Sequence, residues 1–415
     1  MIDLKNPIRY IDFLLKRIFF KGAKQKCLPS ETIVIKKPIT VVSLFGGIAS
    51  ELKSLKMMNM PFHLVDIVEN NKDAIAVVNA LYKTNFNPSD IRKLDNKTIS
   101  TKNTLFEIKP AVKKHNTFGR DLDLMVAGFP CEDISSQGNQ EGMECDSGTR
   151  SSLVYYSKYY IEAYRPKYMV FECPYGSGTK FFIKGQQLSL KPWLESFGYR
   201  VTLEHHQSVD FGYSHSRERL YFVCIRNDLD TVYVPIQSPN IKRKPISYYL
   251  DSDISEYEKS VVLTKSETAK LLNGDSFMGR VVSLDETIYP AILHHYNKSS
   301  GSSGKIPYKN AYRILTPKEL LKMFDYSYDE YMVIKSTLHA KSNKKLCGKI
   351  YKLIGNSIIP GMLCPIFKQL FTEYLGDNYI VEKFTLNCWD TNHQHVRILN
   401  ESSRYSTVMS CNRLF

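Results

Sequence analysis

The 415-residue chain predicts an α/β fold, a doubly wound and mostly parallel sheet with a smaller irregular domain attached. Three observations carry that expectation. β-branched runs alternate with helical spacings over the first half of the chain. The runs end in glycine, proline or acids rather than in hairpin turns. The alternation stops near Asn227, where short pieces rich in Pro, Ser, Tyr and Lys take over.

Residues 39–50, ITVVSLFGGIAS, read as a strand that breaks into two glycines, and helical sequence follows through Leu55 and Met58. PFHLVDIVENN (61–71) is a second strand and DAIAVVNALY (73–82) a helix, which makes a βαβ opening. Residues 121–127 are a further strand. Leu153, Tyr156, Tyr160 and Ala163 share a helical face that ends before Arg165-Pro166, and residues 168–171 and 220–225 are strands again. SSGSSG (299–304) marks a loop, helical patterning returns at 316–323, and 354–374 reads as a loop and helix that rejoin the core. The expected organisation is a basic extension at 1–38, a catalytic domain at 39–228 completed by 311–375, an insert at 229–310, and a tail at 376–415.

A formal net charge of +14 points to a polyanionic partner, most simply nucleic acid. No run of about 18 apolar residues predicts a membrane span. The N-terminal segment, with Ile11–Leu15 interrupted by Lys16 and Arg17, reads as a short basic amphipathic helix rather than a signal peptide. Nine cysteines, an odd count with no CxxC pair, suggest neither a disulfide framework nor a zinc site, and a reducing cytoplasm is the expected location. His205-His206 and His294-His295 are adjacent pairs without helical ligand spacing, so no metal is expected.

The chemistry begins at LDLMVAGFPCEDIS (122–135). An apolar run stops at Gly128-Phe129-Pro130, and Cys131 follows at a strand's carboxyl end, where open α/β sheets place ligands. A buried structural thiol is the plainer reading of a lone cysteine. Phe45-Gly46-Gly47 sits at a strand-to-helix turn, Glu69 closes the next strand and Asp90 follows in PSDIRK. Together they outline an adenosine-type pocket, although each alone is a common feature of strand ends. Neither GxxxxGK[ST] nor GxGxxG occurs, against a P-loop and against a dinucleotide. Arg217 and Arg219 in HSRERLYF can supply charge to a thiolate, or form a surface cluster with Glu218. Glu172 closes the strand YMVFE, where desolvation can keep a carboxyl protonated.

In their order these blocks resemble the DNA cytosine-5 methyltransferases of Gram-positive bacteria and their phages. SLFGGIAS, VDIVENN, PSDIRK, GFPCEDIS, SGTRSSLVYY (147–156), FECPYG (171–176), FGYSHSRERLYFV (211–223), YRILTPKELLKMFDYSYDEY (312–331) and KLIGNSIIPGM (352–362) span most of 39–375. The resemblance implies a sheet of the S-adenosylmethionine-dependent methyltransferase type and a target-recognition insert. It implies a flipped cytosine, attacked at carbon 6 by Cys131 and held at ring nitrogen 3 and the exocyclic amine by Glu172. Arg219 would contact the ring carbonyl, and Arg217 the loop or a phosphate. S-adenosylmethionine would lie on Phe45, Gly46, Gly47, Glu69, Asp90, Ile91, Pro130 and Asn356. Residues 132–150 would close on duplex DNA, with Ser135 and Arg150 as contacts, while Lys242, Arg243, Lys244 and Arg280 are insert residues suited to phosphates. A solvated basic face is the alternative for that run. The resemblance suggests a monomer and admits a cognate restriction endonuclease as partner.

Several positions depart from the family's pattern. Ala49 stands at a usual glycine, Glu132 at a glutamine, Cys173-Pro174 at Asn-Val, and His215 at a glutamine. They leave two alternatives open, an inactive homologue that binds DNA and a tRNA cytosine-5 methyltransferase. Cys173 also raises an oxidative pairing with Cys131.

Overall fold

The computed structural model describes residues 32–36, 38–93, 122–130, 147–175, 190–296 and 303–372, together with three strands between 381 and 410. The chain forms two compact units, 38–375 and the paired termini 1–37 with 376–415. In the terminal unit, β1 (Thr32–Lys36) pairs antiparallel with a strand at Val381–Trp389, which continues through His395–Asn400 to Ser406–Ser410. The extension and the tail, expected as separate segments, thus share one sheet. Residues 1–31, where the amphipathic helix was expected, lie outside the described residues.

The larger unit is built on β2 (Ile39–Leu44), β3 (Phe62–Val68), β4 (Leu124–Gly128), β5 (Tyr168–Pro174), β6 (Tyr199–Gln207) and β7 (Glu218–Arg226), in the spatial order β3-β2-β4-β5-β7-β6. β3, β2, β4 and β5 run parallel, and β7 is antiparallel to both β5 and β6. The parallel strands are buried on both faces, which explains why they read as continuous apolar runs rather than alternating ones. One face carries Val41, Leu124, Val126, Val170 and Tyr221 and is covered by the helices Ser50–Met57 and Pro360–Leu370. The other carries Val42, Met125, Ala127 and Phe171 and packs on Tyr160, Ile161 and Tyr164.

The predicted helix at 152–163 begins as a 3₁₀ turn, Ser151–Ser157, and becomes α-helical only over Lys158–Tyr164. β6 was not expected. Its mixed sequence YRVTLEHHQ alternates because one face is buried and the other partly wet. Residues 343–370 are apolar enough on average to cross a membrane, yet they form two helices, Asn343–Gly355 and Pro360–Leu370, and most of the stretch is buried in the core.

β3 and β4 lie on opposite sides of β2, so the chain reverses direction across the sheet there. Such a switch point leaves a crevice beyond the strand ends, the usual place for a ligand in an open α/β sheet.

Candidate active site

A cavity occupies that crevice. Its walls are Ser43–Gly46 from β2 and the turn after it, Ser50 and Glu51 from the following helix, Val126 and Gly128 from β4, and Asn356–Ile358 from the segment linking the last two helices. Backbone geometry shapes the turn. Phe45, Gly47 and Ala49 all have φ between 51° and 55°, in the left-handed region. A Cβ on Gly46 would collide with Ser43 and Ile67, whereas one on Gly47 would meet nothing within 4 Å. Gly46 is therefore required by packing, and Gly47 by conformation and by the open space beside it. The departure at Ala49 also has a cost, because a left-handed alanine is strained by about 1 kcal/mol.

Glu69, at the end of β3, accepts from Gly47 N at 3.0 Å and from Asn71 N at 2.7 Å. It ties the glycine turn to the next strand and keeps acceptor capacity for a ligand hydroxyl. Asp90 is gripped by Arg92 (Nη2 to Oδ2 2.5 Å), which holds its carboxyl below the usual range. Ile91 is buried on the second core face. Asn356 is exposed at the end of the helix Asn343–Gly355 and lines the cavity. Pro130 closes the described part of β4's exit. Cys131, Glu132 and Ser135 lie outside the described residues.

Glu172 pairs with Gly128 across β4 and β5, and with Tyr221 across β5 and β7. Its Oε1 lies 2.5 Å from Arg219 Nε in a mostly buried ion pair. The carboxyl that the sequence places at this strand end thus meets a guanidinium. Cys173, the next residue, packs in the core of the opposite sheet face, as strand alternation requires. That places its side chain away from Glu172, and the proposed pairing partner, Cys131, lies outside the described residues.

Arg217 does something the sequence reading missed. Its guanidinium donates to the carbonyls of Ile292 (3.0 Å), Gly355 (3.0 Å) and Ser357 (2.7 Å), and its own N–H is held by Gln207 and Ser208. It clamps the insert to the segment bearing Asn356, with its donors turned inward. Gly355 is needed for the same join, since a Cβ there would strike the backbone of Leu293 and His294. His215, at the position of the family's glutamine, is fully buried and stacks on Phe324 with centroids 4.5 Å apart. Burial, aided by the charges of Arg217 and Arg219, pushes its pKa down to about 3.

The candidate DNA contacts divide. Ile241 packs on Gly212 and its N–H reaches Asp210, so the basic run lies beside the loop that leads into Arg217. Lys242 and Lys244 are exposed there, while Arg243 is half-buried on the Val209 carbonyl. Arg280 is exposed but already paired with Glu286 at 2.9 Å. Arg150 is exposed at the start of the 3₁₀ turn. No group of His, Cys, Asp and Glu side chains able to hold a metal occurs among the described residues. His205 and His206 point to opposite faces, His205 to an exposed Glu218 and His206 to a buried Glu204.

The family model for C-5 cytosine-specific DNA methylases matches residues 39–372, most of the chain and all of the site just described. The chain belongs to that family. This methylase is 28% identical over 265 residues to the orphan methyltransferase M.SssI of Spiroplasma monobiae, covering 53% of this chain and 67% of the relative. It is 26% identical over 377 residues to the type II methyltransferase M2.ScrFI of Lactococcus lactis subsp. cremoris, covering 80% and 99%. Its fold resembles that of the Dnmt2 methyltransferase of S. pombe, with a TM-score of 0.62 at 17% identity, covering 81% of this chain and all of the other.

Proposed function

We propose that this methylase transfers a methyl group from S-adenosylmethionine to carbon 5 of cytosine in duplex DNA, by way of a covalent adduct between Cys131 and a base turned out of the helix. The observation that carries the reading is the Glu172–Arg219 pair, buried at the end of β5, one strand from β4 and two from the glycine turn. A carboxyl and a guanidinium in contact match the two edges of a cytosine. The carboxyl suits ring nitrogen 3 and the amine, the guanidinium suits the carbonyl oxygen. An entering base would exchange part of the ion pair for these bonds. A proton given to nitrogen 3 by the Glu172 carboxyl makes carbon 6 electrophilic, so the Cys131 thiolate adds there and carbon 5 becomes nucleophilic; once carbon 5 carries the methyl group, loss of its proton expels the thiolate and frees the base.

The residues around the cavity suit the methyl donor. Gly47 leaves open space, Glu69 offers acceptors at a strand end, and Asn356 and Ser357 close the far wall. S-adenosylmethionine, when bound, supplies an electrophilic methyl group. Phe45, Gly46, Asp90, Ile91 and Pro130 belong to the same proposed wall. The exposed Lys242 and Lys244 favour a nucleic-acid phosphate backbone beside the insert, and a cytoplasmic site of action accords with that substrate.

The test is methyl transfer from labelled S-adenosylmethionine to duplex DNA of mixed sequence, with nucleosides analysed afterwards. Label in 5-methylcytosine with wild type and none with Cys131→Ser is expected. Label on tRNA but not on DNA would replace the substrate. Binding of DNA and S-adenosylhomocysteine with no transfer to either nucleic acid would make the chain a DNA-binding relic.

A further inference from the structure

Glu51 stands in the first turn of the helix Ser50–Met57, directly after the glycine turn, and it is 2% exposed. It lines the cavity with Ser43, Ser50 and Asn356. Its Oε1 has no hydrogen-bond partner among the described residues. Lys53, two residues on, is committed to Glu330 at 2.6 Å. The ordinary reading of such an acid is a helix-capping carboxylate, held charged by the first-turn amides. Burial outweighs that help here. It pushes the Glu51 carboxyl up to about 7, against the Ser43 hydroxyl and the residue's own amide. A buried carboxyl with an unsatisfied oxygen is expensive unless a cation meets it.

We propose that Glu51 receives the α-ammonium group of the methyl donor, its free oxygen accepting one of the three ammonium N–H bonds. This rests on the reading of the cavity as the S-adenosylmethionine site. The sulfonium centre of that donor carries charge but no N–H, so it cannot satisfy a carboxylate lone pair; the ammonium can.

The groups that face Glu51 are Ser43 from β2, Tyr82 from the helix Lys72–Tyr82, Tyr326 before the helix Tyr328–Thr337, and Glu330 within it. The two phenols stay neutral, their pKa values raised by burial, and Glu330 is charged and paired with Lys53 and Lys56. Glu51 is thus the group that titrates near neutrality. Its carboxylate attracts the ammonium, so affinity rises with pH through about 7.

Isothermal titration of the full chain with S-adenosylhomocysteine, which lacks the sulfonium charge, isolates the ammonium contact. Wild type is expected to bind it about 3- to 10-fold more tightly at pH 7.5 than at pH 6. Removing the α-amino group from the ligand should cost wild type about 10- to 100-fold at pH 7.5. Glu51→Gln should flatten the pH profile and hold the two ligands about equally, with its melting curve confirming a folded protein. A wild-type preference that survives in Glu51→Gln, or a wild type indifferent to the amino group, would overturn the assignment. Failure of wild type to bind S-adenosylhomocysteine at all would overturn the cofactor reading beneath it, and that outcome is distinct from the other two.

Discussion

Glu172 and Arg219 sit on adjacent antiparallel strands, and their side chains meet at 2.5 Å with little exposure to solvent. A buried ion pair contributes little net stability against an apolar replacement, but losing one partner is costly because the other is left uncompensated. A pair kept at the end of two strands, beside the proposed nucleophile's strand, is therefore poorly explained by stability alone.

Arg219→Ala should lower methyl transfer by about 100-fold or more and destabilise the fold by about 2–4 kcal/mol. Arg219→Lys keeps the charge and loses the planar fork, so it should recover most of the stability and little of the rate. Single-turnover kinetics beside thermal melts separate the two effects. Equal loss of both in the lysine variant would reduce the pair to a structural role.

Gly46 and Gly47 should respond differently to alanine. Gly46→Ala forces a methyl into Ser43 and Ile67 and should cost about 1–3 kcal/mol of stability. Gly47→Ala meets no protein atom and should cost only the left-handed strain, about 1 kcal/mol. Its methyl would instead intrude on the cofactor space, so S-adenosylhomocysteine affinity should drop more for Gly47→Ala than its stability does. Melting temperature and titration calorimetry of the two variants decide the matter.

Arg217→Lys should behave as a structural lesion. One ammonium cannot span the carbonyls of Ile292, Gly355 and Ser357, so buried acceptors lose their donors. Each lost bond costs about 1–3 kcal/mol. The variant should unfold at lower urea, and limited proteolysis should reach the 292–294 and 355–357 segments first. Native stability in this variant would mean that the clamp is dispensable.

Neutralising Lys242 and Lys244 should weaken DNA binding and reduce the slope of log K against log salt by about 2. Arg280→Gln should change that slope less, because Glu286 already holds its guanidinium. Fluorescence anisotropy at a series of salt concentrations measures both. An unchanged slope in the double variant would make the basic run a solvated face.

The strand ends were legible because chemistry punctuates them. Phe45-Gly46-Gly47, Glu69 and Glu172 each follow an apolar run, and the structure sets them along one edge of the parallel sheet. Arg217 was legible as an arginine in a block but not as a clamp, since its partners are carbonyls of residues 75 to 140 positions away, and carbonyls leave no signature in sequence. Glu51 was hidden for a different reason. An acid in a first helical turn is what helices ordinarily favour, so nothing in SELKSLKM sets it apart until burial is known. The union of the two termini in one sheet was equally unreadable, because strand pairing across more than 340 residues depends on partners and not on local pattern.

His215 and Glu51 give opposed pH dependences, and each variant should uncover the other. His215 is held neutral down to about 3, so between that value and its unfolded value near 6.5 the unfolded chain binds the extra proton. Its contribution is present above 6.5 and lost as pH falls. Glu51 is raised to about 7, so between an unfolded value near 4.3 and 7 the folded chain binds the extra proton, and its contribution is lost as pH rises. Across the shared window from about 4.5 to 6.5 the two slopes cancel, each at most about 1.4 kcal/mol per pH unit. Relative to wild type, the stability of Glu51→Gln should therefore climb with pH in that window, and that of His215→Gln should fall. Urea midpoints at pH 5 and pH 6.5 for the three proteins test this directly. Parallel lines for all three would show that neither group is held in the protonation state that its burial dictates.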